Sequence, residues 1–144
     1  MGLLRSLLGQ GRNRSYGRES VTLTGVRVRS YAEKTVADYL TGAGIEYQYE
    51  KPAKSRRFLS FKQIARPDFY LPEYRVFVEY WGLVGADDEG TRRSYRERMG
   101  YKMSQYRRHN IKVVSLYPAD LEHLDSAFRT KLRELTSREL PITV

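Results

Sequence analysis

The stretch from Arg66 to Gly82, RPDFYLPEYRVFVEYWG, constrains the fold more than any other part of the chain. Two short apolar-aromatic runs, Asp68–Leu71 and Arg75–Trp81, flank Pro72-Glu73-Tyr74, which is the pattern of a β-hairpin. Val76, Val78 and Tyr80 alternate with Phe77, Glu79 and Trp81, the period of a strand whose two faces differ. With the turn centred between Glu73 and Tyr74, antiparallel pairing sets Asp68 directly across from Glu79. Opposed residues share a sheet face with Cβ atoms about 5 Å apart. Two carboxylates held that close repel each other, and a divalent cation bridging them relieves the repulsion. The hairpin alone therefore predicts a metal site.

The chain around it has 144 residues, enough for a single domain with its own core, and is 40% hydrophobic. No apolar run approaches the length of a membrane span, so no membrane partner is expected. The leucines Leu3, Leu4, Leu7 and Leu8 form too short a run for a signal peptide and precede no small-residue cleavage site. An amphipathic first turn or a disordered tail is expected there. With no cysteine, disulfides and thiolate metal sites are excluded, and the composition fits a reducing, cytoplasmic setting. Against 17 Asp and Glu stand 26 Lys and Arg, a formal net charge of +9 and a pI of about 9.8. Such an excess in a small domain favours a polyanionic partner, usually nucleic acid.

The excess is uneven. Arg5, Arg12, Arg14, Arg18, Arg27 and Arg29 face a single acid, Glu19, in the first 29 residues. Residues 1–27 read as a basic flexible arm ahead of a domain spanning 28–144, and the arm is either a solvated tail or a nucleic-acid contact. Val21–Val28 suits a short strand or an extended lead-in.

Ser30 followed by Glu33 fits a capping box, and Tyr31, Val36, Ala37, Tyr39 and Leu40 form an apolar stripe, so a helix is predicted over Ser30–Ala43. Glu33 can cap that helix or face the metal site. A side chain folded back on Ser30 cannot do both, and spacing alone favours the cap. Ile45–Lys51 alternates as a half-buried strand. Lys51, Lys54, Arg56, Arg57, Lys62 and Arg66 then follow with Phe58 and Phe61 interleaved, as a strand or loop. The phenylalanines read as core and most of the cations as phosphate contacts.

Beyond the hairpin, Gly82–Gly90 reads as a loop whose Asp87, Asp88 and Glu89 are solvated, because their spacing is not that of a calcium loop. Arg92–His109 is predicted as a strongly basic helix. Tyr95, Met99, Lys102, Tyr106 and His109 share one of its faces. A lysine within that stripe either snorkels to the rim or places a cation beside the carboxylates. His109 reads as an electrostatic cap rather than a ligand. His123 has no histidine near it in sequence, so a His-based zinc site lacks support. Lys112–Tyr117 is a buried strand, and Pro118 opens a last helix, Ala119–Arg138. No repeat and no glycine-rich phosphate loop appears.

The order is thus helix, strand, strand or loop, hairpin, basic helix, strand, helix. With Pro67-Asp68 and Glu79, it resembles the core of the PD-(D/E)XK nuclease superfamily. Closest are the small endonuclease-like domains attached to some bacterial helicases. Those share an S-x-x-E helix start, a G-I-x-Y-x-Y-E strand, R-P-D-F and E-Y-W-G, here Ser30–Glu33, Gly44–Glu50, Arg66–Phe69 and Glu79–Gly82. The resemblance covers about residues 28–135.

It implies an α/β, restriction-endonuclease-like fold, in which a central mixed sheet (an antiparallel meander plus a further strand) is flanked by helices. It further implies a metal-dependent DNA endonuclease acting through Mg²⁺, with Mn²⁺ able to substitute. The family's lysine usually sits two residues after the second acid, where this chain has Trp81. Some branches supply it from the following helix, which makes Lys102 the candidate. The expected catalytic set is then Asp68, Glu79, Lys102 and Glu33, with Asp68, Glu79, Glu33 and the Tyr80 backbone carbonyl on the metal. The resemblance shifts Glu33 towards the ligand reading. Arg66, Arg92, Arg93, Arg96, Arg56 and Arg57 are the candidate phosphate contacts, and Tyr95 and Tyr106 either position phosphate or pack. Expected partners are DNA, with RNA open, a second copy of the chain, or a helicase or repair protein. The alternatives are a non-catalytic nucleic-acid-binding module of the same fold and an RNA-processing nuclease.

Overall fold

The computed structural model describes residues 19–57 and 60–137, and of residues 55–62 the backbone alone where it describes them. The expected arm before residue 19, the side chains of Arg56, Arg57, Phe58 and Phe61, and the end of the last helix lie outside the described residues. What is described is an α/β protein with a mixed four-stranded sheet.

Two two-residue strands, β1 (Ser20–Val21) and β2 (Arg27–Val28), open it as a small hairpin rather than one extended lead-in. Gly25 takes the left-handed backbone (φ 85°) that this tight reversal needs. Helix α1 follows at Tyr31–Gly42, with Ser30 as N-cap accepting the Glu33 N–H at 3.0 Å. Val36, Ala37 and Leu40 are fully buried along it, whereas Tyr31, expected in the stripe, is 71% exposed. Tyr31 occupies the first helical position, where its side chain clears the sheet. Gly44, left-handed at φ 71°, ends the helix.

The strand expected over Ile45–Lys51 contracts to β3, Gln48–Tyr49. Glu50 is left-handed (φ 54°), which breaks the extended chain after Tyr49. The expected hairpin is present as β6 (Phe69–Leu71) and β7 (Val76–Tyr80). Phe69 pairs with Val78, Tyr70 with Phe77 and Leu71 with Val76, the register that the turn position requires. Between β3 and β6 the basic stretch forms its own antiparallel ribbon, β4 (Ala53–Arg57) with β5 (Ser60–Ala65).

Helix α2 spans Glu89–Arg108, starting earlier than its apolar pattern suggests. Asp88, expected to be merely solvated, is its N-cap, accepting the Thr91 N–H at 2.7 Å. Strand β8 (Val113–Leu116) lies parallel to β7, giving the order β3-β6-β7-β8. Pro118 opens a 3₁₀ turn (Pro118–His123) instead of the last helix itself. That helix, α3, runs Leu124–Thr136.

The two faces of the sheet have different fates. Phe69, Leu71, Val76, Val78, Val114 and Leu116 pack against Val36 and Leu40 of α1 and Phe128 and Leu132 of α3 in one apolar core. Each such side chain contributes about 1.5–3 kcal/mol of transfer free energy. The alternate positions, Tyr70, Phe77, Glu79 and Trp81, form the second face, towards α2, and they carry the polar chemistry.

Candidate functional site

The hairpin register, continued by one residue, sets Asp68 against Glu79. The Tyr80 N–H donates to Asp68 Oδ2 at 2.7 Å, so the last residue of β7 aims the aspartate. The Asp68 carbonyl accepts the Glu50 N–H at 2.8 Å, which ties the start of the hairpin to the end of β3.

Glu79 is 5% exposed. Lys102 Nζ donates to its Oε1 at 2.8 Å, and the Tyr106 hydroxyl to its Oε2 at 2.6 Å. Both donors come from α2, four residues apart and therefore on one helical face. The cation expected beside the carboxylates is thus there. Lys102 Nζ also lies 5.4 Å from the Trp81 ring centre, so the indole supports the lysine that reaches Glu79. Tyr95 meets Trp81 edge-on at 6.4 Å. The Trp81 Nε1 is buried with no hydrogen-bond partner among the described residues.

Of its two expected roles, Glu33 takes the capping one, displaced by one residue. Its Oε2 folds back to the helix start and accepts the Arg29 N–H (3.1 Å), one residue before the expected Ser30, and the Tyr49 hydroxyl (2.5 Å). Its charge still reaches Asp68. Arg29 also pairs with Glu50, which binds the start of α1 to the edge of the sheet.

Burial first, then the charges of Glu79 and Glu33, pushes the Asp68 carboxyl well above the usual aspartate range, and the Tyr80 N–H and Lys102 only partly oppose this. Burial also raises Glu33 against its bonds from Tyr49 and Arg29. The Tyr106 and Tyr49 hydroxyls are pushed up by burial and by the carboxylates they serve, so both remain protonated donors. Among the described residues no group of three or more His, Cys, Asp or Glu side chains could by itself hold a metal ion.

The expected phosphate contacts spread wider. Arg66 is exposed, one residue before Pro67. Arg92 Nη1 donates to the Ala86 carbonyl (2.8 Å) and Arg96 Nε to that of Val84 (2.9 Å), so both brace the loop ahead of α2. Arg93 pairs with Glu89 at 3.2 Å in solvent, an ion pair worth little. An open hollow of about 410 Å³ runs along this side of α2, lined by Glu89, Arg92, Arg93, Arg96 and Glu97, and none of the three acids borders it. Tyr106 is 3% exposed and lies beneath Glu79 rather than on the surface.

Sequence reasoning missed the tie of Tyr106 to Glu79 and that of Tyr49 to Glu33. A polar tip on an otherwise apolar position facing an acidic strand is the signal that could have found them. No helix among the described residues is long and apolar enough to cross a membrane. The fold and site define an α/β protein with two adjacent carboxylates and a lysine drawn to one of them. Comparison with family models, curated proteins and solved structures returned no match.

Proposed function

We propose that the protein is a metal-dependent DNA endonuclease with a restriction-endonuclease-like core, hydrolysing phosphodiester bonds with an activated water. The observation that carries this reading is Lys102 Nζ at 2.8 Å from Glu79 Oε1, on the sheet face where the register sets Asp68. Two acids and a lysine then converge from a hairpin and the helix after it.

Asp68, Glu79 and the Tyr80 carbonyl would hold Mg²⁺ or Mn²⁺, with Glu33 behind them. Every donor is an oxygen, which suits a hard cation, and a crowded acid such as Asp68 gains from one. Magnesium keeps several waters, so two carboxylates and a substrate phosphate can suffice. Such an ion supplies a water of lowered pKa and neutralises phosphate charge. Lys102 faces the negative charge that develops on the phosphoryl oxygens. Tyr106 fixes the rotamer of Glu79, and the α2 arginines and Arg66 offer backbone contacts that set register without reading sequence.

One observation favours a non-catalytic nucleic-acid-binding module instead: Lys102 and Tyr106 already engage both Glu79 oxygens. Cleavage of labelled single-stranded, duplex and branched DNA, and of duplex RNA, with Mg²⁺, Mn²⁺ or EDTA decides between the readings. Metal-dependent cutting of DNA is expected, reduced about 10²–10³-fold or more in Asp68→Ala and Lys102→Ala. Binding of every substrate without cutting, equal in wild type and both variants, sinks the catalytic reading. Cutting of RNA alone turns it into RNA processing.

A further inference from the structure

Helix α2 has two unlike faces. The inner one lies on the sheet, where Lys102 and Tyr106 reach Glu79 and Tyr95 meets Trp81. Tyr101, next to Lys102 and so about 100° round the helix, is 67% exposed. A single exposed ring is ordinary on a protein surface, but the neighbours of this one are cations. Arg98 stands one turn before it and Arg108 two turns after it, both exposed on the same outer face. The Tyr95 ring steadies Arg98 at 6.0 Å. Among the described residues neither arginine is in an ion pair. The hollow edged by Arg92, Arg93 and Arg96 adjoins this face, since Glu97 on its rim is one turn from Tyr101.

Gly100 sharpens the picture. It sits in the interior of α2, where glycine weakens a helix relative to alanine. A Cβ at this position would meet nothing within 4 Å, so no contact inside the protein calls for the glycine. Bare backbone beside Tyr101 lets a ligand lie close against the helix.

We propose that the outer face of α2 binds single-stranded DNA, with a base stacked on Tyr101 and phosphates held by Arg98, Arg108 and the arginines of the hollow. As a statement of substrate class, DNA carrying an unpaired segment, it rests on the nuclease reading above. Chemistry selects the partner. Every unpaired base offers a π-face to an aromatic ring, and cations alongside track the backbone. In a duplex those faces are hidden in the base stack, so a duplex engages the arginines and leaves Tyr101 idle.

The test is fluorescence-anisotropy binding of labelled oligothymidylate, oligouridylate and a blunt DNA hairpin by the full chain over a salt series. Wild type is compared with Tyr101→Ala, Tyr101→Phe and Arg98→Gln/Arg108→Gln. The control is Tyr31→Ala, which removes a similarly exposed ring from α1. Circular dichroism and thermal melting establish that each variant is folded. Tyr101→Ala should bind oligothymidylate about tenfold more weakly and the hairpin as wild type does, while Tyr101→Phe and Tyr31→Ala match wild type on both. The arginine pair should lower the single-strand salt slope by about 1–2. Equal losses on strand and hairpin in Tyr101→Ala, equal losses in Tyr101→Ala and Tyr31→Ala, or a phenylalanine variant as weak as the alanine one overturn the proposal. Tighter binding of oligouridylate than of oligothymidylate overturns the assignment to DNA. Cleavage of a tailed hairpin with Mg²⁺ is recorded alongside. Tyr101-dependent strand binding without any cutting by wild type defeats the nuclease reading and leaves the stacking face. Metal-dependent cutting with strand binding unchanged in Tyr101→Ala does the reverse.

Discussion

The Tyr106 hydroxyl stands 2.6 Å from Glu79 Oε2, and both side chains are buried. A hydrogen bond to a buried carboxylate contributes about 1.5–3 kcal/mol, and removing the donor leaves the charge short of a partner. Tyr106→Phe should therefore lower stability by about that amount in urea denaturation, against about 0.5 kcal/mol for an exposed change. It should also slow cleavage while leaving DNA affinity unchanged. A loss below 0.5 kcal/mol, in a phenylalanine variant that cuts normally, would show that Lys102 alone fixes Glu79.

Asp68 makes the metal-free protein pH-sensitive in a defined direction. Its folded-state carboxyl is raised, so between the ordinary aspartate value of about 4 and the raised value the folded chain holds a proton that the unfolded chain releases. Stability falls as pH rises through that window, and Glu33 acts in the same sense. Asp68→Asn keeps an acceptor for the Tyr80 N–H and removes the charge. In thermal melts without metal it should match or exceed wild type at pH 8 and vary less with pH. Mg²⁺ should then raise the wild-type midpoint only, by mass action. An asparagine variant less stable than wild type at pH 8, or equally stabilised by Mg²⁺, counts against both the crowding and the site.

Glu33 separates charge from capping. Glu33→Gln keeps acceptors for the Arg29 N–H and the Tyr49 hydroxyl. Stability should change by less than about 1 kcal/mol, while cleavage drops about 10–100-fold, the usual effect of an outer group that tunes a metal ligand. Unchanged turnover would reduce Glu33 to a cap, and complete loss would make it a ligand.

Ser30 offers a purely structural control. Ser30→Ala deletes the acceptor for the Glu33 N–H and should cost about 1 kcal/mol. Activity per folded molecule should hold. If cleavage falls at full stability instead, the cap is steering Glu33.

What could be read from sequence was what local chemistry determines. The hairpin register follows from where Pro72-Glu73-Tyr74 turns the chain, and the left-handed Arg75 (φ 55°) completes that turn. Ser30 announces its helix by type and spacing. Lys102 stood out because a cation on an apolar face needs an explanation. The ribbon was legible only as a strand or loop, because Ala53–Arg57 (AKSRR) carries no apolar alternation and Phe61 and Ile64 fall three apart in β5, off the period of a strand. Glu50 cut β3 short through a backbone angle that residue type does not reveal. Asp88 was lost as a cap among neighbouring acids, and Tyr106 looked like a packing residue until its tip met Glu79.

The parallel pairing of β7 with β8 sets an order of assembly. The hairpin that brings Asp68 and Glu79 together needs only neighbours in sequence and can form within microseconds. Lys102 rides the crossover between two parallel strands, a non-local pairing that closes a longer loop than the hairpin does. During synthesis the hairpin leaves the ribosome before α2 and β8 do. A nascent chain halted there carries both acids without their cation.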